Sequence, residues 1–315
     1  MAKPILLLHG GAGRWRATRE RIHESLKAIA EARDHGYRYI ETGSALEAVV
    51  EAVAYMEDSG AFNAGIGSVL NFVGEREMDA GVMDGVTKRV GAVAAVTYPK
   101  NPVKLARLVM EKTEHVILAG RGADFIAEKS GLPRIGPIPE RIVERYNELI
   151  KKYKSGDIPY YKGNRAFLEE IGLMDTVGAV AVDKDGRLAA AVSTGGVWLK
   201  LPGRVGDSPI PGAGFYADEN VAIAATGLGE AIVKTMASLR IAILVSMGYN
   251  VVKAGELVID YATETIGPDT IGVIAVDKRG RYYIGFNTEH MMVALKSDKE
   301  CYAKLLSRSG VEESL

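Results

Sequence analysis

Hydrophobic residues fall along this chain in two rhythms, and the change comes just past the middle. In the first half they recur every three or four residues. Residues 19–35 show this helical spacing, and Gly36 marks the expected stop. Ser44 is placed to cap a second helix running to about residue 56, with Leu46, Val49, Val50 and Val53 along one face. Residues 5–8 read as a strand entering a glycine turn, and 91–98 are strand-like. Helices are expected at 103–112, 122–129 and, rich in charge, 140–152, with a break at Pro133, Pro137 and Pro139. Residues 153–165 lack periodicity and read as an exposed linker, the kind of segment where chains are cut.

Beyond the linker the rhythm becomes that of strands. Residues 177–182 and 188–193 flank a turn at Asp183-Lys184-Asp185-Gly186, and 271–276 and 282–287 flank a second at Asp277-Lys278-Arg279-Gly280. Two long helices are expected between the hairpins, at 230–247 and, capped by Asn250, at 251–265. Blocks of strands and blocks of helices imply stacked layers, with helices outside two packed sheets. The two hairpins echo each other: Asp175-Thr176-Val177-Gly178 opens the first and Asp269-Thr270-Ile271-Gly272 the second. The echo reads as two similar hairpins in one sheet system and warns that the string alone is not catalytic.

Composition narrows the function classes. The chain has 315 residues, 47% hydrophobic and 25% charged, which is globular and compatible with one large α/β domain. A net charge of −1 offers no field for nucleic acid. Cys301 is the only cysteine, which excludes an intrachain disulfide and a cysteine-based zinc cluster. The apolar run ending at His9 is too short for a signal peptide or a membrane span, so a cytoplasmic protein is expected. The 36 glycines sit in clusters such as His9-Gly10-Gly11-Ala12-Gly13, where backbone must turn or approach something closely.

The familiar nucleophile systems are absent: no G-x-S-x-G elbow, no phosphate loop, no H-E-x-x-H, and five His scattered apart. Threonines, glycines and a few charges between 176 and 230 remain. A Thr hydroxyl is a poor nucleophile without a base. One solution is a Thr at a new N-terminus, whose own α-amine takes the proton. With a pKa of about 8, that amine is partly unprotonated near neutral pH. Thr176 follows the linker and opens a strand, so a cut before it would leave it anchored.

Seven motifs in register then carry a resemblance: HGGAG at 9–13, FNAGIGS at 62–68, MDAGVMDG at 78–85, DTVGAVAVD at 175–183, STGG at 193–196, GRVGDSPIPGAGFYAD at 203–218 and TGLGE at 226–230. The chain resembles the plant-type L-asparaginase and isoaspartyl peptidase family, whose relatives include the glycosylasparaginases. The resemblance implies an N-terminal-nucleophile hydrolase with an αββα fold. It implies one domain over 1–315 that cuts itself between Asp175 and Thr176 into 1–175 and 176–315, and an assembly of two copies of each fragment. L-asparagine and β-aspartyl dipeptides are the implied substrates, with no organic cofactor and no nucleic-acid or membrane partner.

Roles carry over by position. Thr176 matches the nucleophile and Thr194 a hydroxyl that tunes it. Arg204 matches the grip on the substrate α-carboxylate, which a planar guanidinium makes with two parallel bonds. Asp207 matches the acceptor for the α-ammonium. Thr226 and Gly227 match the oxyanion site, Gly229 a backbone contact to substrate, and Asn63 a residue beside the nucleophile. Main-chain carbonyls of Met56, Glu57, Ser59, Phe62, Ala64 and Ile66 match a loop that holds sodium. His9 and His115 read as structural. Three features depart from the pattern: Leu228 stands where a polar residue is frequent, residues 197–199 are more apolar, and Asp rather than Gly precedes Thr176. The same machinery would serve a glycosylasparaginase, which the absence of secretion features disfavours. A non-catalytic binding protein is the reading from another class, disfavoured by the joint presence of Thr176, Thr194, Arg204 and Asp207.

Overall fold

A computed structural model describes residues 3–15, 17–157 and 176–315. Nine strands form a sheet in the order β13 (Gly310–Ser314), β12 (Cys301–Ser307), β11 (His290–Ser297), β1 (Ile5–Gly13), β5 (Val177–Val182), β6 (Leu188–Thr194), β2 (Met78–Asp84), β3 (Val90–Val96) and β4 (Ile117–Ala119). Four more form a second sheet: β10 (Tyr282–Phe286), β9 (Ile271–Asp277), β8 (Val221–Gly227) and β7 (Phe215–Ala217). The two echoing hairpins therefore lie in different sheets, contrary to the expectation of one sheet system. The pleat explains the burial of the large sheet on both faces. Leu6 and Leu8 join a core with Ile29, Val53, Val109 and Ala179, beneath helices α1 (Arg19–Glu41), α2 (Ala45–Ser59) and α3 (Pro102–Lys112). Ile5 and Leu7 face the other way, into a core with Val180, Val192, Phe215, Ala224 and Ile274 between the sheets.

Helices α4 (Gly120–Lys129) and α5 (Glu140–Lys154) complete the first half. Tyr153 and Lys154, expected in the linker, close α5, and most of that linker, with Asp175, lies outside the described residues. Helix α1 does not stop at Gly36. It runs on to Glu41 because Gly36 is where it crosses its neighbours: a Cβ there would stand 2.8 Å from Ala48 O and 2.9 Å from Leu6 Cδ2. The glycine is a packing residue, and the helix ends at Thr42 before Gly43, whose φ is +89°.

The helix expected at 230–247 is two. α6 (Gly229–Thr235) and α7 (Ala237–Ser246) are split at Met236, in the left-handed region at φ +46°. The break is satisfied locally. Leu239 N–H donates to Gly212 O at 2.8 Å, and Arg240 Nε donates to the freed Thr235 carbonyl at 2.7 Å. Helix α8 (Val251–Thr265) begins as expected, with Asn250 accepting the Lys253 N–H. Helices α7 and α8 cover the small sheet through Ile241, Val258, Ile223 and Val273. Among the described residues no helix is long and apolar enough to cross a membrane.

Candidate active site

Thr176 stands at the head of β5, between β1 and β6 in the large sheet. Val177 pairs with Ser193, so one further step places Thr176 opposite Thr194. Strand alternation sends both side chains toward the second sheet, the side taken by Val180 and Val192. Thr194 pairs on its other edge with Asp79 of β2. Its Oγ1 accepts the Gly196 N–H at 2.9 Å. From the facing sheet, Thr226 at the end of β8 donates its hydroxyl to Thr176 O at 3.4 Å. The next residue, Gly227, has φ +123°, a conformation that only glycine adopts readily.

These residues share a small cleft lined by Thr176, Thr194, Gly196, Val197, Arg204, Asp207, Gly227 and Gly229. Three glycines pack on the Arg204 guanidinium: a Cβ would come within 3.2 Å of it at Gly196, 2.9 Å at Gly206 and 2.8 Å at Gly229. Arg204 Nε and Nη2 donate to the two carboxylate oxygens of Glu230 at 2.9 and 2.8 Å. Burial works against the Arg204 charge, but Glu230, Asp207 and Asp79 together outweigh it and hold the guanidinium above its ordinary pKa. Asp207 is fully enclosed, and burial pushes its carboxyl up to about 7 against the pull of Arg204. Its Oδ2 is buried without a hydrogen-bond partner among the described residues. Such an oxygen is costly unless a donor arrives.

A second tier of buried charge lies below. Lys200 is fully buried and donates to Glu77 O at 2.9 Å. Burial lowers its pKa, while Asp79 and Glu77 favour its charge. Asp79 accepts the Ala95 N–H at 2.8 Å, and burial raises its pKa against the attraction of Lys200 and Arg204. His9 lies fully buried against the Thr176 backbone, and burial pushes its pKa down to about 3, so the ring is neutral.

The asparaginase family model matches residues 2–305. The chain belongs to the asparaginase family. Among curated proteins it is 48% identical to a plant-type L-asparaginase of Pyrobaculum calidifontis over 289 residues, 91% of this chain and 94% of that one. It is 42% identical to an isoaspartyl peptidase of Escherichia coli over 297 residues, 92% of each chain. An isoaspartyl peptidase/L-asparaginase of Danio rerio is 43% identical over 291 residues, 91% of this chain and 90% of that one.

Within this asparaginase-family site, Thr176, Thr194, Arg204, Asp207, Gly227 and Gly229 line one cleft, and Thr226 reaches the Thr176 carbonyl. Asn63 stands to one side. Its Nδ2 donates to Gly196 O at 2.6 Å and its Oδ1 accepts the Val69 N–H at 3.0 Å. One end of the amide thus holds the turn after Thr194, and the other holds Asn63's own loop at Val69. Sequence reasoning missed the roles of Glu230, Lys200 and Asp79. An acidic residue in the first turn of a helix ordinarily complements the helix dipole, and no spacing rule links Glu230 to Arg204 across 26 positions.

Around residues 56–66, main-chain oxygens crowd a glycine turn. A Cβ at Gly65 would meet Glu57 O at 2.5 Å, and one at Gly67 would run into Phe62 O. Met56 O accepts Ser59 Oγ at 2.8 Å, and Ile66 O accepts Arg76 Nη1 at 3.3 Å. The carboxyl of Glu57, pushed up to about 8 by burial, is mostly uncharged at neutral pH. Neutral carbonyl oxygens suit a hard cation. Among the described residues no group of three or more His, Cys, Asp or Glu is placed to hold a metal ion.

Proposed function

We propose that this chain is a self-cleaving threonine amidohydrolase that acts on L-asparagine and β-aspartyl dipeptides. In this reading the layers described above are the αββα sandwich of N-terminal-nucleophile hydrolases, in one domain. The observation that carries it is the buried, unpartnered Asp207 oxygen in the cleft that also holds Arg204 and Thr176. One fixed cation and one carboxylate beside a hydroxyl suit the head of an amino acid, with its β-amide over the nucleophile.

Self-cleavage comes first. Thr176 Oγ attacks the Asp175 carbonyl carbon, the peptide bond shifts to an ester, and water hydrolyses it, freeing the Thr176 amine. In turnover that amine takes the Thr176 hydroxyl proton as Oγ attacks the substrate amide carbon. The oxyanion is met by the Thr226 hydroxyl and the Gly227 N–H. The amine's proton passes to the leaving nitrogen, and ammonia or an amino acid departs. Water, deprotonated by the same amine, then releases aspartate from the ester. Arg204 holds the α-carboxylate, Asp207 the α-ammonium, and Gly229 lends a backbone contact. Asn63 and Thr194 keep the nucleophile's surroundings in place.

A sodium ion held by the carbonyls of Met56, Glu57, Ser59, Phe62, Ala64 and Ile66 would order the loop behind Asn63. Its role there would be structural. No organic cofactor is required. The cleaved protein is proposed to assemble as two copies of each fragment in the cytoplasm.

The test compares four amides at equal concentration. L-asparagine and β-aspartyl dipeptides should be hydrolysed, while α-aspartyl dipeptides and N-acetyl-asparagine should not. An acetylated amine leaves Asp207 unpaired, a heavier penalty than a lost methylene. Equal turnover of N-acetyl-asparagine would overturn the assignment of Asp207.

A further inference from the structure

The second Asp-Thr-Ile-Gly string takes no part in the chemistry above, yet it touches the site from behind. A Cβ at Gly227 would stand 2.5 Å from Thr270 O, and the Leu228 N–H donates to that same oxygen at 2.8 Å. The turn that follows Thr226 therefore rests on one main-chain carbonyl. Asn287 holds the residue that bears it. Its Oδ1 accepts the N–H groups of Thr270 and Ile271, each at 2.9 Å. Its Nδ2 donates to Thr263 Oγ1 at 2.9 Å and Gly267 O at 3.3 Å. The Thr270 hydroxyl is spent on Gly267 O at 2.8 Å. Asp269, held at φ +61°, pairs with Arg308 and lies 3.9 Å from Arg14, just past the glycine-rich strand.

We propose that Asn287 is a positioning residue for the oxyanion site. By clamping the Thr270 and Ile271 amides it fixes the Thr270 carbonyl, and with it the Gly227–Leu228 turn. The inference rests on the reading of Thr226 and Gly227 as the oxyanion donors. Donors aimed at developing charge lose their effect when displaced by a fraction of an ångström to an ångström. An asparagine with both acceptor and donor ends filled leaves little room for such drift. Loosening the turn costs rate in the transition state, where the oxyanion exists. The contacts at Arg204 and Asp207, made in ground and transition states alike, stay in place.

The test measures kcat and KM for L-asparagine, with active sites counted as freed 176–315 fragment. Asn287→Ala is expected to lower kcat roughly ten- to a hundredfold, less than outright loss of an oxyanion donor, with KM held within about threefold. Asn287→Asp keeps an acceptor for both amides but sets an oxygen against Gly267 O, so its kcat should lie between those of Asn287→Ala and the parent. Val258→Ala, in the core of α8, is the control for lost stability and should keep its kcat. Should Asn287→Ala fail to fold, Asn287→Ser replaces it, since its hydroxyl is too short to span both amides. A variant that folds but cuts itself too slowly for its active sites to be counted is scored by its rate of fragment formation, which should fall while that of Val258→Ala does not. The clamp is refuted if kcat is unchanged, if Val258→Ala loses as much, or if the loss is confined to KM. Thr226→Val separates the two ideas. If it keeps full kcat, the oxyanion reading itself fails. If it loses kcat while Asn287→Ala does not, only the clamp fails.

Discussion

Two stretches of this chain begin with the same four-residue pattern and end in different employment. Asp175-Thr176-Val177-Gly178 leads into β5, between β1 and β6 of the large sheet, and Asp269-Thr270-Ile271-Gly272 into β9, between β8 and β10 of the small one. Thr176 lines the cleft. Thr270 is tied down, its hydroxyl on Gly267 O and its amide on Asn287, and its carbonyl faces the turn after Thr226. The glycines behave alike. A Cβ at Gly178 would run into His9 Nε2, and one at Gly272 would stand 2.7 Å from Ala12 Cβ. Both copies thus close on the glycine-rich first strand, one from each sheet. A shared string here specifies a way of packing, and the neighbours decide whether it becomes a site.

The sharpest way to break this comparison is to remove each hydroxyl. Thr176→Ala should abolish self-cleavage and cut turnover by roughly 10⁴-fold or more, as loss of a nucleophile does. Thr270→Ala loses the bond to Gly267 O and a 3.1 Å contact with Asn287 Nδ2 but keeps both main-chain amides on Asn287 Oδ1, and should keep turnover within a few fold. Ammonia release and denaturing gels read both. A folded Thr270→Ala without activity would show that the wrong copy has been assigned.

Arg204→Lys asks whether the cleft that Thr176 lines also holds the substrate head. Lysine keeps the charge but loses the fork that already holds Glu230. A charged hydrogen bond is worth roughly 1.5–3 kcal/mol, so kcat/KM should fall about ten- to a hundredfold. An unchanged kcat/KM would remove Arg204 from the α-carboxylate.

Asp207 joins function to stability. Its folded pKa, about 7, is raised above the ordinary 3.8 by burial. An acid shifted upward favours folding while protonated, and that advantage is lost as pH rises from the unfolded value through the folded one. Asp207→Asn should therefore be more stable than the parent at pH 8, by on the order of a few kcal/mol, with the gap shrinking toward pH 4. It should also lose recognition of the α-ammonium. In the parent, kcat/KM should already decline below about 8 as the freed Thr176 amine is protonated, and more steeply below about 7, where Asp207 also takes up a proton. A gap that widens toward acid would reverse the sign of the argument.

The smallest effects sharpen the glycine half of the comparison. Gly178→Ala and Gly272→Ala should each destabilise by about 1–3 kcal/mol through overpacking. Gly178→Ala should also slow turnover, because His9 lies against the Thr176 backbone. Thermal melts and rates on the two variants check this.

Much of this was legible in the chain because it rests on local rules. Period, caps and turns located α2, α8, β5 and β9 to within a few residues, since Ser44 and Asn250 cap through their own side chains. Apart from Val197, the residues now lining the cleft fall within motifs that were legible in register. What escaped depends on contacts distant in sequence. Gly36 looks like a helix stop until Ala48 and Leu6 pack against it. Met236 breaks a helix because Gly212 and Arg240 accept the consequences. Glu230 and Lys200 became site residues only when folding set them beside Arg204 and Asp79.

The central claim is that Thr176 acts only once it is an N-terminus. The direct measurement is an intact-mass time course of freshly purified protein, with ammonia release from L-asparagine assayed on the same samples. The account predicts fragments 1–175 and 176–315 appearing together and activity rising in proportion to the cleaved fraction. Full activity from a preparation that shows only the intact 315-residue mass would contradict it.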